Sequence, residues 1–259
     1  MKKLFQFLAI GAVVLGMASC DNENVKLKNF KVTVDYITVS QAHFTIEAAK
    51  EDTRFVYILV SKGFFVHERS TCDPLLQSGL EEEATGDIEG AFTGLYPGLE
   101  YVLLVHEIDA EGNLVGDLEY VIFKVEDVEV DKNTEIGIDH PLRHLIGTVT
   151  KTEDGRLKIN GEAGSPGFSY ALNLFVYAKG LTGKFGKDDL SLSIFDVPTL
   201  VYDEERYRIF NAEFTGVEKD GKYEYEGWMD VYGKLEGKQG AWRLPFNIVC
   251  EEKEEAKEL

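Results

Sequence analysis

A chain of 259 residues with a formal net charge of −19 repels polyphosphate and anionic lipid headgroups, which makes nucleic acid and charged lipid surfaces poor partners. Hydrophobic residues make up 44% of it, enough for packed cores and too many for a disordered chain. Its length suits two domains of ordinary size.

At the amino terminus, Lys2 and Lys3 precede an almost wholly apolar run from Leu4 to Leu15, and Met17, Ala18 and Ser19 lead up to Cys20. This is the three-part layout of a secretory leader, with an apolar core shorter than the about 20 residues a spanning helix needs. Met17-Ala18-Ser19-Cys20 resembles the lipobox of bacterial lipoproteins, Met17 standing where that family usually has Leu. The resemblance implies that residues 1–19 are removed and that acylated Cys20 becomes the first residue of the mature chain. More than one acyl chain gives durable anchoring, each buried methylene contributing about 0.8 kcal/mol, so the lipid bilayer is an implied partner. The alternative is a plain cleaved leader with Cys20 as an ordinary thiol. The acidic tether of residues 20–25, with Asp21, Asn22, Glu23 and Asn24, marks export to the outer face in some Gram-negative lipoproteins and inner-membrane retention in others; of the two, the resemblance favours an outward-facing outer-membrane lipoprotein of the cell envelope.

Beyond the tether the apolar pattern has period two. "NFKVTVDY", "AHFTIEAA" and "RFVYILVS" read as strands, rich in β-branched and aromatic residues. One short helix is expected after Asp73-Pro74, where Asp caps and Pro suits the first turn. Pro97-Gly98 makes a turn, Tyr101 to Ile108 a strand, and Asp109 to Asn113 a turn into the strand "LEYVIFKV". Leu95, Pro97, Gly98 and Tyr101 resemble the Leu-x-Pro-Gly-x-x-Tyr signature of fibronectin type III domains, whose tyrosine corner puts the ring into the sandwich and its hydroxyl on a backbone group. That resemblance covers residues 26–125, and implies that Tyr101, Leu103 and Val105 face inward. A related immunoglobulin-like sandwich is the fallback, because Phe44 and Ile46 occupy the second strand where the family often has Trp, Leu99 replaces its common Thr, and the stretch from Gly63 to Gly90 is long and acidic.

Residues 126–137 are acidic and poor in aromatics, as a domain linker would be. From 138 to 250 the strands resume with "LIGTVT", "RLKIN", "FSYALNLFVYA", "DLSLSIF", "RYRIFNAEFTGV", "KYEYEGWMDVYG" and "AWRLPFNIV", and 251–259 is a charged, solvated tail. The expected fold class is all-β, two β-sandwich domains, the second jelly-roll-like or barrel-like.

Alternation separates the two tryptophans. Trp242 shares parity with Leu244, Phe246 and Ile248 and should face the core, whereas Trp228 shares parity with Lys222, Glu224, Glu226, Asp230 and Tyr232, a polar face. An indole among carboxylates suits a sugar ring, its apolar face stacking while the acids accept hydroxyl hydrogen bonds. Trp228, Tyr232, Glu226 and Asp230 are thus candidate glycan contacts; the competing reading is that this face packs against other protein. Cys72 and Cys250 fall in different expected domains and read as buried, unreactive thiols. His140 and His144 are four apart without the Glu of H-E-x-x-H, the glycine-rich island Lys179 to Lys187 fits no phosphate motif, and no Ser-His-Asp arrangement or carboxylate pair can be singled out. No catalytic residue, metal site or cofactor is therefore expected. The layout is similar to accessory lipoproteins that accompany glycan uptake in Gram-negative bacteria, which implies a non-catalytic, membrane-anchored glycan binder. A protein-binding adhesin or structural envelope component is the alternative, and a hydrolase of glycans or peptides comes third.

Overall fold

The computed structural model describes residues 29–68, 72–137, 144–151, 157–162, 173–176, 182–192, 199–202, 205–220 and 222–252. Cys20 and its leader and tether, His140, and most of the charged tail lie outside the described residues. The described chain is dominated by strands, with three short helices. It is an all-β protein.

Two facing antiparallel sheets build the first domain. One has the order β1 (Phe30–Asp35), β2 (Gln41–Ala48), β5 (Ile88–Thr93); the other has β4 (Glu82–Thr85), β3 (Arg54–Ser61), β6 (Glu100–Glu107), β7 (Glu119–Lys124). The expected period of two is clean in β1 and β2, where Phe30, Val32, Val34, Ala42, Phe44 and Ile46 point inward. They meet Phe55, Tyr57, Tyr101, Leu103 and Val105 from the opposite sheet. Because β4 pairs with β3 rather than with β5, the sandwich is fibronectin type III-like and departs from the ABED grouping of immunoglobulin constant domains.

Alternation fails in β6, which is buried almost throughout. The cause is the insertion after β3. Helix α1 (Lys62–His67), capped by Ser61 accepting from the Phe64 amide, and helix α2 (Cys72–Leu75) lie on the outer face of the four-stranded sheet. Phe65, Cys72, Leu75 and Leu76 pack there on Val56, Val60, Val102, Leu104 and Ile108, a second hydrophobic core separate from the sandwich interior. Strand β6 therefore needs apolar residues on both faces. The expected helix near Asp73-Pro74 begins at Cys72, so Asp73 sits in its first turn. Cys72 is fully buried, its thiol directed at the Glu68 carbonyl 3.8 Å away.

The second domain is one curled sheet. Its path runs β11 (Asn173–Val176), β10 (Leu157–Glu162), β9 (His144–Lys151), β16 (Lys238–Glu252), β15 (Lys222–Leu235), β14 (Glu205–Lys219), β12 (Thr182–Phe185), with β13 (Thr199–Tyr202) beside β14 and β8 (Val130–Asp131) beside β16. The end strands β11 and β12 return close to one another, which gives the barrel-like form of the two expected. Phe214, Tyr225, Met229, Leu244, Phe246 and Ile248 fill its interior. Glycines make room for the aromatic rings among them: Gly216 pairs across the sheet with Tyr225, and Gly227 lies between Phe214 and Phe246. A Cβ at either glycine would overlap its neighbour, the Tyr225 ring in one case and the Glu213 carbonyl in the other. Such cross-strand glycine–aromatic pairs let long strands coil without opening a void.

Two features depart from the sequence pattern. "DLSLSIF" was expected as a strand, but Lys187–Leu192 is helix α3. The Leu-Ser alternation is too short to outweigh Asp188 and Asp189 in a first helical turn, where carboxylates favour the amino-terminal dipole. Pro245 stands in the interior strand β16, a position Pro normally avoids. Among the described residues β8 pairs with Ala241 and Trp242 and β9 begins pairing at Asn247, so none of them calls for a ladder hydrogen bond from Pro245 on that edge.

The domains meet at the tyrosine corner. Tyr101 accepts a hydrogen bond at its hydroxyl from the Tyr96 amide at 3.0 Å, and the Tyr96 side chain is buried at the junction, hydrogen-bonded to Thr199 and close to Arg208. Nearby, Lys187 Nζ reaches Asp127 Oδ1 at 2.9 Å and the Gly98 carbonyl at 3.4 Å. Asp127 also accepts from Lys124, and these two lysines hold its carboxyl below the usual carboxylate range. The 126–137 segment supplies β8 and buries Ile136. At the opposite pole Asn29 is held by Glu119 and Glu107.

Burial raises the Tyr101 phenol to about 12 and lifts Tyr96 higher still, burial again leading, with Tyr101 beside it adding to the effect. The folded chain thus keeps protons that unfolded tyrosines, titrating near pH 10, give up. The corner's stability is full below about pH 10 and falls as pH rises toward about 12. Alkaline titration followed by circular dichroism and tyrosinate absorbance should show both signals changing together in that window. Tyr96→Phe should move the midpoint to higher pH; tyrosines that ionise while the fold is intact would contradict this account.

Candidate functional site

The outer face of β14, β15 and β16 carries the candidate residues, and a β-bulge arranges them. Pairing between β14 and β15 slips between Ile209 and Asn211, so that Asn211 falls opposite Asp230. Asn211 Nδ2 donates to Asp230 Oδ2 at 3.0 Å. From β16, Arg243 Nε donates to Asp230 Oδ1 at 2.7 Å and Nη2 to Oδ2 at 2.9 Å, a bidentate fork. The Asp230 side chain is 4% exposed and that of Arg243 is 26% exposed, so the carboxylate lies beneath a guanidinium that reaches water. Hydrogen bonding to Asp230, then the charges of Asp230 and Glu213, raises the Arg243 pKa further. With Asp230 holding it, the Arg243 guanidinium carbon stacks 3.6 Å from the Trp228 ring centroid, a cation–π contact.

The four expected contacts therefore separate. Trp228 is half-buried and Glu226 exposed, with Asn247 Nδ2 at 3.5 Å from Glu226 Oε1. Asp230 is buried and fully engaged with Arg243 and Asn211, in a position to orient the stack. Tyr232 is buried in the hydrophobic cluster, in register with Arg208 and Ala241, at the end of the face where Arg208 approaches Gly94 of the first domain. One end of β15 is thus open and the other covered. Arg243, Glu213 and Asn247 join the open end. Their parity in "AWRLPFNIV" and "RYRIFNAEFTGV" was the available signal, since Arg243 and Asn247 alternate with the inward Leu244 and Phe246. Trp242, in the inward register, packs partly buried against the core and donates its indole N–H to the Gly233 carbonyl at 3.4 Å.

A concavity lies at the domain junction, away from this face. It is an open groove of about 830 Å³ lined by residues of α1, α3 and the Gly98 turn. Its lysines are engaged: Lys62 with Glu100 at 2.8 Å, and Lys124 and Lys187 with Asp127. Among the described residues no three His, Cys, Asp or Glu side chains converge as metal ligands would.

No family model matches the sequence, and no curated protein matches it. Solved structures similar to it include a computationally redesigned β-sandwich protein, 17% identical, covering 39% of this chain and 96% of its own with a TM-score of 0.27. A two-domain fibronectin type III segment of chicken tenascin is 10% identical and covers 86% of this chain and 99% of its own, with a TM-score of 0.25. The central fibronectin III array of a RIM-binding protein is 13% identical over 52% of this chain and 42% of its own, at 0.24. The first domain's assignment rests on its strand order and corner hydrogen bond, not on these superpositions.

Asp230→Ala should destabilise the protein by about 3 kcal/mol, the low end for stranding one member of a buried pair because Arg243 keeps part of its surface in water. Urea unfolding read by tryptophan fluorescence measures this. Arg243→Met should cost more, since it leaves the Asp230 carboxylate, 4% exposed, with the Asn211 amide but no cation.

Proposed function

We propose that the protein is a non-catalytic lipoprotein of the cell envelope, anchored through acylated Cys20, that binds glycan on the outer face of β14, β15 and β16. The observation that carries the binding half is the Trp228–Arg243 stack, held by Asp230 and bordered by Glu226, Glu213 and Asn247 on the open end of a sheet. The planar Trp228–Arg243 pair, half-buried and fixed in place with the guanidinium over the ring, offers its remaining exposed area for stacking at little entropic cost, and nearby carboxylates and an amide offer partners to sugar hydroxyls. The contact set in this reading is Trp228, Arg243, Glu226 and Asn247, with Asp230 as a positioning residue and Tyr232 as core.

The anchoring half is supported by sequence and by polarity. The lipobox-like Met17-Ala18-Ser19-Cys20 lies just ahead of Asn29, and Asn29 enters the first domain at the pole away from the second. A tether there would hold the first domain toward the membrane and the second outward. Outer-membrane placement follows the same reading.

Affinity electrophoresis of the detergent-solubilised full-length protein through gels containing soluble polysaccharides tests the binding. We expect retardation by at least one polymer and its loss, by about tenfold in apparent affinity, in Trp228→Ala, as removal of a stacking aromatic anchor predicts. Unchanged retardation of that variant would exclude this face. Incorporation of an alkyne-tagged fatty acid, abolished in Cys20→Ser, tests the anchor.

A further inference from the structure

The open end of the β15 face has a distinctive charge arrangement. Arg243, the cation in contact with Trp228, is already matched by the bidentate carboxylate of Asp230 beneath it, with Asn211 completing that carboxylate. Glu213, in register with Trp228, and Glu226 and Glu224, two and four residues before it, are exposed. Lys184 of β12, also exposed, is in register with Glu213, so Arg243 and Lys184 each stand beside a carboxylate, and the excess charge around the indole, from Glu226 and Glu224, is negative.

We infer that this platform selects uncharged, hydroxyl-rich glycan and rejects polyuronate or sulfated polymer, an inference that rests on the glycan reading above. A neutral pyranose can lay its C–H face on the exposed part of the Trp228–Arg243 pair while its hydroxyls donate to Glu226 and Glu213, hydrogen bonds strengthened by the acceptors' charge. A uronate or sulfate at the same place would lie within a Debye length, about 8 Å at physiological ionic strength, of two or three carboxylates. Among the described residues, Arg243 and Lys184, the cations beside it, each already face a carboxylate. Binding by stacking and hydroxyl donation to fixed acids also depends weakly on salt, whereas binding of an anionic polymer would depend on it steeply.

The full-length protein is run through gels containing neutral polymers (a β-glucan, a xylan, a galactomannan) or anionic ones (polygalacturonate, alginate), at low and at physiological salt. The expected result is retardation by a neutral polymer that changes less than about twofold with salt, and none by the anionic ones. In Glu213→Lys/Glu226→Lys, altered only at exposed positions, retardation by polygalacturonate should appear and raise apparent affinity by about tenfold at low salt. Wild-type preference for the anionic polymers, or a charge-reversed variant that ignores them, overturns the charge selection and leaves glycan binding standing. Failure of every polymer to retard the wild type overturns both.

Discussion

The hydrogen bond from the Tyr96 amide to the Tyr101 hydroxyl is the constraint on which the rest of the molecule depends. A buried amide left without a partner costs about as much as a lost hydrogen bond, so the bend before β6 is stable only with the phenol in place. That bend also aims Tyr96 outward from the first domain. Its ring is buried where Thr199 and Arg208 of the second domain meet it. One local device thus closes a sandwich and docks its neighbour. The Lys187 contacts to Asp127 and Gly98 add orientation at the rim, where exposed ion pairs contribute little energy.

Each core shows the same economy of residue types. In the first domain a four-stranded sheet is covered on both faces, by the partner sheet and by the α1 and α2 insertion, so β6 has little polar surface to show. In the second, long strands curl because Gly216 and Gly227 yield space to Tyr225, Phe214 and Phe246. Aromatic rings packed on glycine fill volume that two ordinary side chains would overfill, and interiors are packed too tightly to absorb the excess.

What could be read from sequence follows from which forces are local. The alternation of β1, β2, β14, β15 and β16 reports a face, and the Leu95 to Tyr101 signature reports a bend; both are visible in a few residues. The covering of β6 was not visible, because its second buried face depends on an insertion whose helices gain stability only on that sheet. Helix α3 escapes the pattern for a different reason, a short alternating run being compatible with either period. At the candidate site, parity placed Trp228 and Glu226 on one surface. It could not foresee that a bulge at Phe210 would sink Asp230 beneath Arg243, or that the domain junction would cover the face near Tyr232.

These two departures bear on function together. A bulge adds a residue to one strand and re-aims the side chains beside it, and here it brings Asn211 to Asp230 so that the carboxylate's acceptor sites are occupied from two strands. An aspartate used this way is withdrawn from direct ligand chemistry, and its effect passes to Arg243 and, through the stack, to Trp228. The junction closes the far end of the same face, so any ligand must approach along the edge marked by Glu224 and Glu226. Burying Tyr232 and Asp230 thus does not weaken the case for a binding surface. In the proposed reading it confines that surface to the part of the sheet farthest from the first domain, where a chain tethered at its amino-terminal pole would have the most room to meet a large polymer.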